Sequence, residues 1–356
     1  MKRKILFITG SINQTSQMHQ IAEQLVDYDC WFSQFFTDLK WVNKLIQHTS
    51  LLDGTILAGQ FKQRSEEYLK KHGLQIDYQA KKNKYDLVVY CSDLHIPERM
   101  RQTKTVWVQE GMIDRYTTAS RIVQTLNLPP ILSGNTSLNG SSNVCDIYFA
   151  ASEGYKKYFS KLGTDANKII VTGMPNYDNI HQYLDNDFPY RNYVMVATSD
   201  MRETFRWENR PTFIKEAVKI ANGRRLLFKL HPNEKFERAE AEIRRFAPAD
   251  TLIYQSGNTN HMIANCSELI TQYSTVVYVG MVLGKKVHSY FDKEQLEELE
   301  PLQNEGMSAV YIADICRHYI EYDQIPASYP VLQASPELHL SKAVKKLKAK
   351  QHAHSA

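Results

Sequence analysis

The chain lacks the cysteine patterns of disulfide-stabilised and zinc-binding proteins. Its 356 residues include five cysteines, an odd number, and none of them has CxxC spacing. Cysteines scattered along apolar segments predict buried free thiols in a reducing compartment. No segment is apolar over the roughly 20 residues that cross a bilayer, and the apolar stretch near the N-terminus is too short for a signal peptide. These absences predict a cytoplasmic protein, either soluble or peripherally attached to the inner face of the membrane.

Two signatures of nucleotide and nucleic-acid binding are also absent. The first apolar run, 4–9, is followed by a single glycine, Gly10, instead of the GxGxxG fingerprint of dinucleotide-binding folds. The chain has no array of basic and aromatic residues of the kind that reads nucleic acid. Its net charge is only +4, which fits anionic ligands and does not require a nucleic-acid partner.

What the chain does have is a regular alternation of short apolar runs and helical patterns. Helices are predicted at 16–26, 152–162, 212–220, 238–246, 261–265 and 276–283. Strands are predicted at 4–9, 85–90, 105–108, 146–150, 168–172, 193–197, 225–229, 251–254, 268–271 and 286–290. Strands that alternate with helices predict parallel sheets covered by helices on both faces.

The length of the chain favours two domains. A polar stretch at 177–192, rich in Asp, Asn and Tyr, predicts the linker between them. We therefore predict an α/β protein with two Rossmann-like domains, 1–176 and 193–335, whose parallel sheets face a central cleft. A basic tail, 336–356, completes the chain.

Two motifs in the second domain follow predicted buried strands. They are Lys229-Leu230-His231-Pro232 and Ser274-Thr275. Ligands of open α/β sheets bind beyond the carboxyl ends of the strands. A His close to a Lys, a proline-fixed turn, and hydroxyl and N–H groups at the start of a helix are suited to a phosphate. The motifs therefore predict a site for a nucleotide phosphate ester.

Three further residues have the same strand-end position in the second domain. Thr198 and Ser199 follow its first strand, and Gln272 precedes Ser274. Each motif also has a purely structural interpretation: Lys229 as a half-buried strand charge, and the Ser-Thr pair as an ordinary N-cap. The nearby arginines fit a solvated helix face; they are Arg202, Arg206 and Arg210.

In the first domain the candidates are Gly10, Ser11 and Glu110. Gly10 and Ser11 follow the first strand and are predicted to face the acceptor or the cleft, although a left-handed turn glycine explains Gly10 equally well. Glu110 follows the strand 105–108 and is the candidate general base, with Asp114 in reserve. The alternatives for Glu110 are a carboxylate in a helix N-cap region and an ordinary surface-loop acid.

Taken in order, these motifs resemble the GT-B superfamily of nucleotide-sugar enzymes. The segments 149–154 and 168–175 look like the end of a GT-B N-terminal domain, as in UDP-GlcNAc 2-epimerases and CDP-glycerol glycerophosphotransferases. His231-Pro232-Asn233 resembles the HPN element of the epimerases. Arg206-Trp207-Glu208-Asn209 resembles their H-R-x-E-N element only in part, because it lacks the His.

Other motifs resemble bacterial surface-polysaccharide transferases. Gln272-Tyr273-Ser274-Thr275 stands where the epimerases carry an acidic DSGG-type turn, and it is similar to the Q-x-S element of capsule Kdo transferases and the S-S/T element of sialyltransferases. Gln109-Glu110-Gly111 matches the D/E-D/E-G motif that supplies the base of those sialyltransferases, except that Gln109 replaces its first acid. The motif at 229–232 matches their K-x-H-P element, which binds the nucleotide phosphate.

The resemblance implies a metal-independent glycosyltransferase, with Glu110 as the base and His231 on the donor phosphate. The implied co-substrate is a CMP- or CDP-linked sugar or polyol phosphate, with UDP-linked donors fitting less well, and the acceptor is a cell-surface glycan or glycolipid. The alternatives are a UDP-GlcNAc 2-epimerase and a non-catalytic nucleotide- or glycan-binding scaffold. The basic stretch at 341–350 fits an anionic membrane surface, or else a solvated terminal helix.

Overall fold

The computed structural model describes residues 2–38, 59–203 and 207–324. The chain divides into two compact units. The first unit comprises Met1–Asp178 together with the chain from Pro301 onward, and the second is Asn179–Glu300. This division differs from the predicted boundaries, which assigned everything from 193 to 335 to the second domain. The predicted basic tail, 336–356, lies outside the described residues.

Each unit contains one entirely parallel sheet. The first has the strand order β2-β1-β3-β4-β5-β6, and the second β11-β10-β7-β8-β9. The strands are β1 Lys4–Thr9, β2 Asp29–Gln34, β3 Leu87–Tyr90, β4 Lys104–Val108, β5 Ile147–Ala150, β6 Ile169–Val171, β7 Tyr193–Ala197, β8 Leu226–Lys229, β9 Leu252–Tyr254, β10 Cys266–Thr271 and β11 Lys286–His288. All ten predicted strands are present, with bounds within two residues. The two parallel-sheet α/β units confirm the predicted fold class.

Helices connect the strands in both units. The described helices are α1 Ile12–Glu23, α2 Gly59–Lys71, α3 Thr118–Thr125, α4 Glu153–Leu162, α5 Arg210–Ala221, α6 Phe236–Phe246, α7 Thr259–Asn265, α8 Val276–Val282, α9 Lys293–Leu299 and α10 Ser308–Tyr322. Short 3₁₀ turns include Pro130–Ser133, Pro175–Tyr177 and Ile180–Leu184. Among the described residues, no helix is long and apolar enough to cross a membrane.

The last described helix, α10, belongs to the first unit although it follows the second in sequence. Its core-facing residues, among them Ile312 and Cys316, are buried in the same core as Ile5 and Phe7 of β1. A carboxylate distant in sequence fixes the start of the helix: the buried Asp178 accepts hydrogen bonds from three backbone N–H groups. These are those of Asn304 at 2.8 Å, Gly306 at 2.9 Å and Ser308 at 2.5 Å. This carboxylate stabilises the positive end of the helix.

The glycine that follows β6 allows this approach of the C-terminal segment. Gly173 has a φ of +78°, and a Cβ at this position would collide with the side chains of Ser308 and Asn304. Glycine therefore satisfies both a left-handed backbone and a close contact here.

The cysteines behave as the sequence predicts. All five are free thiols; Cys91, Cys145, Cys266 and Cys316 are buried, and Cys30 is half-buried. Burial raises the pKa of the Cys30 and Cys266 thiols to about 12, which makes them poor nucleophiles.

Candidate functional site

The strand order of the second sheet brings the predicted phosphate-site residues together. Strands β10, β7 and β8 are neighbours, with Thr271 opposite Ala197 and Ala197 opposite Lys229. Their carboxyl ends therefore lie at one edge of the sheet. The residues that follow these ends are Gln272, Thr198 and Leu230, and His231 comes one residue later. We call this edge, with Thr198, Ser199, His231, Gln272 and Ser274, the second-unit strand-end site.

His231 projects from this edge with about a third of its side chain exposed, 37%. Its Nδ1 accepts a hydrogen bond from the backbone N–H of Asn233 at 3.2 Å. Burial lowers the pKa of His231, and the carboxylates of Asp200 and Glu234 partly oppose this shift. At neutral pH the ring is therefore neutral. Because Nδ1 is an acceptor, the proton lies on Nε2, which can donate to an oxyanion.

A buried carboxylate organises the loops around His231. The Glu234 side chain is fully buried and accepts hydrogen bonds from the Thr198 hydroxyl and from the backbone N–H of His231 at 2.9 Å. Its other oxygen pairs with the Arg210 guanidinium at 2.5 Å. Glu234 therefore joins the loop after β7 to the loop after β8.

The same network continues to the end of β10. Arg210 also pairs with Glu208 at 3.0 Å, and the Gln272 amide donates to Glu208 at 2.8 Å. The Arg210 and Glu208 side chains are each 1% exposed, so the charges compensate each other away from water. The interpretation of Arg210 as a solvated residue is therefore wrong. Arg206 lies outside the described residues.

Lys229 makes its contacts inside the fold. Its ammonium donates to the backbone carbonyls of Leu230 and Gln255, both at 2.9 Å. Burial lowers its pKa. These bonds tie the ends of β8 and β9 together, which favours the structural interpretation of Lys229. Pro232, which follows His231, is exposed.

Ser274 and Thr275 are half-buried between β10 and α8. Thr275 occupies the N-cap position with helical backbone angles, and its side chain makes no capping hydrogen bond. The N-cap interpretation is therefore wrong for the Thr275 hydroxyl. Ser199, in the loop after β7, is buried and donates to the carbonyl of Tyr273 at 3.4 Å.

In the first unit, Glu110 follows β4 after one intervening residue and is half-buried. Within the described residues, no hydrogen bond or ion pair to its carboxyl group is present. Burial alone raises the pKa of Glu110 to about 7. A carboxyl group that is half ionised near neutral pH can both accept and return a proton.

The residue before Glu110 explains the departure from the acidic motif. Gln109 is buried; its amide oxygen accepts from the N–H of Ala151 at 2.9 Å, and its amide nitrogen donates to the carbonyl of Gly111 at 3.0 Å. A carboxylate could not make the second bond. Gln109 thus links the ends of β4 and β5 and holds the backbone on both sides of Glu110.

Gly10 and Ser11 form the start of α1. The Ser11 hydroxyl accepts from the N–H of Gln14 at 3.2 Å, and the Gln14 side chain accepts from the N–H groups of Ser11 at 3.4 Å and Gly10 at 2.8 Å. This is a capping box. Gly10 does not have a positive φ, so it is not a left-handed turn glycine. The reserve acid, Asp114, accepts two bonds from Thr136 at 3.0 and 2.8 Å.

The sequence does not reveal that three charged side chains, Arg210, Glu208 and Glu234, are buried behind the strand-end site. Glu208 belongs to a motif that resembles the epimerase element only in part, and Glu234 follows His231 by three residues without any periodicity to mark it. No cluster of three or more His, Cys, Asp or Glu side chains suited to a metal occurs in the parts of the chain that the structure describes.

Solved structures share this architecture, although their sequences differ from that of this chain at most positions. No model of a protein family and no curated protein sequence matches the chain. A Listeria monocytogenes protein assigned as a UDP-N-acetylglucosamine 2-epimerase superposes with a TM-score of 0.57 at 13% identity, covering 92% of this chain and 98% of its own. The chain has the GT-B fold.

Two further structures support this assignment of the fold. S. aureus MnaA with UDP gives a TM-score of 0.54 at 12% identity, covering 92% of this chain and all of its own, 100%. The Neisseria meningitidis UDP-GlcNAc 2-epimerase bound to UDP-GlcNAc gives 0.52 at 12% identity, covering 90% and 92%. At such identities the likeness establishes the GT-B fold and leaves the reaction to be argued from the site.

Proposed function

We propose that this chain is a glycosyltransferase that moves a sugar, or a polyol phosphate, from a nucleotide-activated donor to a glycan or lipid acceptor. The observation that carries the proposal is Glu110, a strand-end carboxyl group with no partner among the described residues and a pKa of about 7. Structural acids are normally paired and ionised, so an unpaired acid of this kind is a candidate for proton transfer.

In the proposed reaction Glu110 removes the proton of the acceptor hydroxyl. With a sugar donor, the hydroxyl oxygen then forms a bond to the anomeric carbon while the bond from that carbon to the donor's phosphate oxygen breaks. With a polyol-phosphate donor, it forms a bond to the transferred phosphorus while the bond from that phosphorus to the nucleotide's phosphate oxygen breaks. The nucleotide leaves with the electron pair of that bond. His231, through Nε2–H, stabilises the negative charge that develops on the leaving phosphate. The reaction, so written, needs no redox cofactor.

The second-unit strand-end site supports a nucleotide phosphate as ligand. The backbone of His231 is held by Glu234 and Thr198, which presets the position of the imidazole before a ligand arrives. Preorganised donors stabilise a developing charge more effectively than mobile ones do. The motif Gln272-Tyr273-Ser274-Thr275 favours a cytidine nucleotide, whereas the structures of S. aureus MnaA with UDP and of the Neisseria epimerase with UDP-GlcNAc favour a uridine nucleotide.

The fold supports one second candidate, a UDP-GlcNAc 2-epimerase. The Listeria, S. aureus and Neisseria structures cover nearly the whole chain, and two of them are assigned to that activity. An epimerase needs no acceptor. Incubation with UDP-GlcNAc alone, followed by proton NMR, distinguishes the two: an isomerised nucleotide sugar identifies the epimerase, and an unchanged one favours the transferase.

The proposed base is tested by Glu110→Gln in a donor-cleavage assay. The purified chain is incubated with CMP-, CDP- and UDP-sugars, and the released nucleotide is quantified with water or added glycans as acceptor. Loss of a general base is expected to reduce kcat by about 10²–10⁴-fold, with nucleotide affinity unchanged. In the parent protein, kcat/KM should rise with pH and level off above about 7, because only the ionised carboxyl group accepts a proton.

Asp114→Asn is the matched control, because Asp114 lies four residues further along and is bonded to Thr136. It should retain activity. Equal activity of the parent protein and Glu110→Gln would contradict the role of Glu110. Nucleotide binding without turnover of any donor would favour the non-catalytic scaffold.

A further inference from the structure

The first unit has a concentrated set of exposed apolar side chains. The described residues contain fourteen exposed large hydrophobic side chains, and six of them lie within seventeen residues: Tyr116, Ile122, Leu126, Leu128, Ile131 and Leu132. Single exposed apolar residues are ordinary on protein surfaces. A cluster of exposed apolar residues is unusual, and it marks a surface that contacts a membrane, a ligand or another protein. We call these six residues the apolar patch.

The apolar patch stands on an element that is already anchored to the unit on its inner side. In α3, Val123 is buried, and Ser120 is buried against the Ser137 hydroxyl at 2.6 Å. The outer residues Ile122 and Leu126 are four apart and share one face of the helix. The helix therefore already has a buried face, and Ile122 and Leu126 lie outside it.

The second half of the patch is anchored in the same way. The N–H of Ile131 donates to the carbonyl of Leu94 at 3.2 Å, and the N–H of Leu128 donates to Val123 at 2.9 Å. These bonds hold the 3₁₀ turn Pro130–Ser133 beside α3. Most of the patch therefore lies on two adjoining elements, α3 and the turn Pro130–Ser133, that hydrogen bonds hold in place.

The charges around the patch are mostly positive, and the acid next to it in sequence, Asp114, is bonded to Thr136. Between 115 and 133 the only charged residues are Arg115 and Arg121, and both are exposed. The Gln124 side chain donates to the carbonyl of Leu162 at 2.5 Å, which brings the end of α4 next to the end of α3. Helix α4 carries the exposed cations Lys157 and Lys161 near this end. Apolar side chains bordered by cations are complementary to an anionic bilayer surface.

We propose that the apolar patch docks this chain onto an anionic lipid bilayer. Ile122, Leu126 and their neighbours enter the boundary between headgroups and acyl chains, while Arg121, Lys157 and Lys161 contact anionic headgroups. Tyr116 lies six residues after Glu110 in the chain. The docked surface and the proposed base therefore belong to one segment of the chain. The docking itself does not depend on the proposed function.

The test is co-sedimentation of the full chain with vesicles of phosphatidylcholine, with and without phosphatidylglycerol. The parent protein should bind the vesicles that contain phosphatidylglycerol and lose this binding at high salt. The double variant Ile122→Ser/Leu126→Ser should bind at least about tenfold more weakly, because each removed side chain contributes apolar area to the contact. Melting temperatures of both proteins establish that the variant is folded.

A matched control exists outside the patch. Val26 and Leu184 are 62% and 54% exposed, close to the 63% and 52% of Leu126 and Ile122. Val26→Ser/Leu184→Ser should bind vesicles as the parent protein does. An equal loss in both double variants would overturn the proposal, since the effect would then not be specific to the patch.

Three other results would also overturn it. The first is a parent protein that binds neither kind of vesicle. The second is binding that survives Ile122→Ser/Leu126→Ser but is abolished by Lys345→Gln/Lys346→Gln/Lys348→Gln, which would assign membrane contact to the basic tail. The third is a concentration-dependent dimer, measured by light scattering, that the patch variant disrupts without any vesicle binding by the parent protein. That outcome would make a second copy of the chain the occupant. Because no activity is measured, failure here leaves the proposed reaction untouched.

Discussion

Replacement of Glu110 by Gln should make the protein more stable at neutral and alkaline pH. Burial raises the pKa of Glu110 from an ordinary 4.5 to about 7. Between these values the folded chain holds a proton that the unfolded chain has released. The free energy of unfolding therefore falls as pH rises through this window, and the full penalty is present above about pH 7. Below pH 4.5 both states are protonated and the penalty vanishes.

The size of the effect follows from the shift in pKa. A shift from 4.5 to about 7 corresponds to about 3 kcal/mol, at about 1.4 kcal/mol for each pKa unit. This figure is a ceiling, because the side chain is only half-buried and water reaches part of it. Glutamine is neutral at every pH and has nearly the same shape. The variant should therefore gain stability over the parent protein progressively from pH 5 to pH 8, approaching about 2–3 kcal/mol.

The assay is urea denaturation of both proteins at several pH values from 5 to 8.5. Asp114→Asn serves as the control, because it replaces the charged acceptor used by Thr136 with a neutral amide oxygen and should destabilise the protein instead. A stability difference between the parent protein and Glu110→Gln that stays constant over this range would show that the pKa of Glu110 is not raised in the folded chain. A difference that favours the parent protein increasingly at high pH would show the same.

Three further predictions concern groups inside the fold. Gly173→Ala should destabilise the protein by about 2 kcal/mol or more in urea denaturation, because it introduces both strain and a collision; Gly73→Ala, also at positive φ but in open space, should cost only about 1 kcal/mol. Arg210→Met should cost about 3–5 kcal/mol by the same measurement, because Glu234 then keeps a buried charge without its partner. Lys229→Met should cost about 1–3 kcal/mol, since two carbonyls lose their donor, but calorimetry should show nucleotide affinity within about threefold of the parent protein; a larger loss would make Lys229 a ligand.

The sheets were predictable because buried parallel strands read as continuous apolar runs. Strands β1 and β7 have the predicted bounds. The strand that the sequence did not reveal, β2, is the last strand of its sheet: it pairs with β1, makes an isolated bridge between Phe32 and Ile76 on its other side, and its first three residues are half-buried. An edge strand need not be uniformly apolar, so Asp29–Gln34 carries polar residues that hide the pattern.

The return of the chain to the first unit could not be predicted from local patterns. The contacts that fix α10 join Asp178 to Ser308, residues separated by 130 positions. Nothing in the sequence around either residue indicates its partner. Helical periodicity identifies an apolar face but does not say which sheet that face covers.

The position of the candidate site in the sheet was predictable from the sequence, whereas the burial and the pKa values of its residues were not. Alternating strands and helices predict a parallel sheet, whose strand ends share one edge, so residues such as His231 and Gln272 could be placed at that edge. Burial of Arg210 and Glu234 could not be foreseen, because arginine and glutamate are mostly exposed in proteins. The raised pKa of Glu110 likewise arises from tertiary burial, which depends on segments distant in sequence.

We infer that the second-unit strand-end site binds the phosphate of a nucleotide through His231. Calorimetric titration of CMP, CDP, UDP and GDP into the parent protein and into His231→Ala tests it most directly. We predict that at least one pyrimidine nucleotide binds the parent protein, and that its affinity falls by about tenfold or more in the variant, as expected for the loss of a hydrogen bond to a charged group. Absence of binding by all four nucleotides, or equal affinity in both proteins, would show that this site does not bind a nucleotide phosphate through His231.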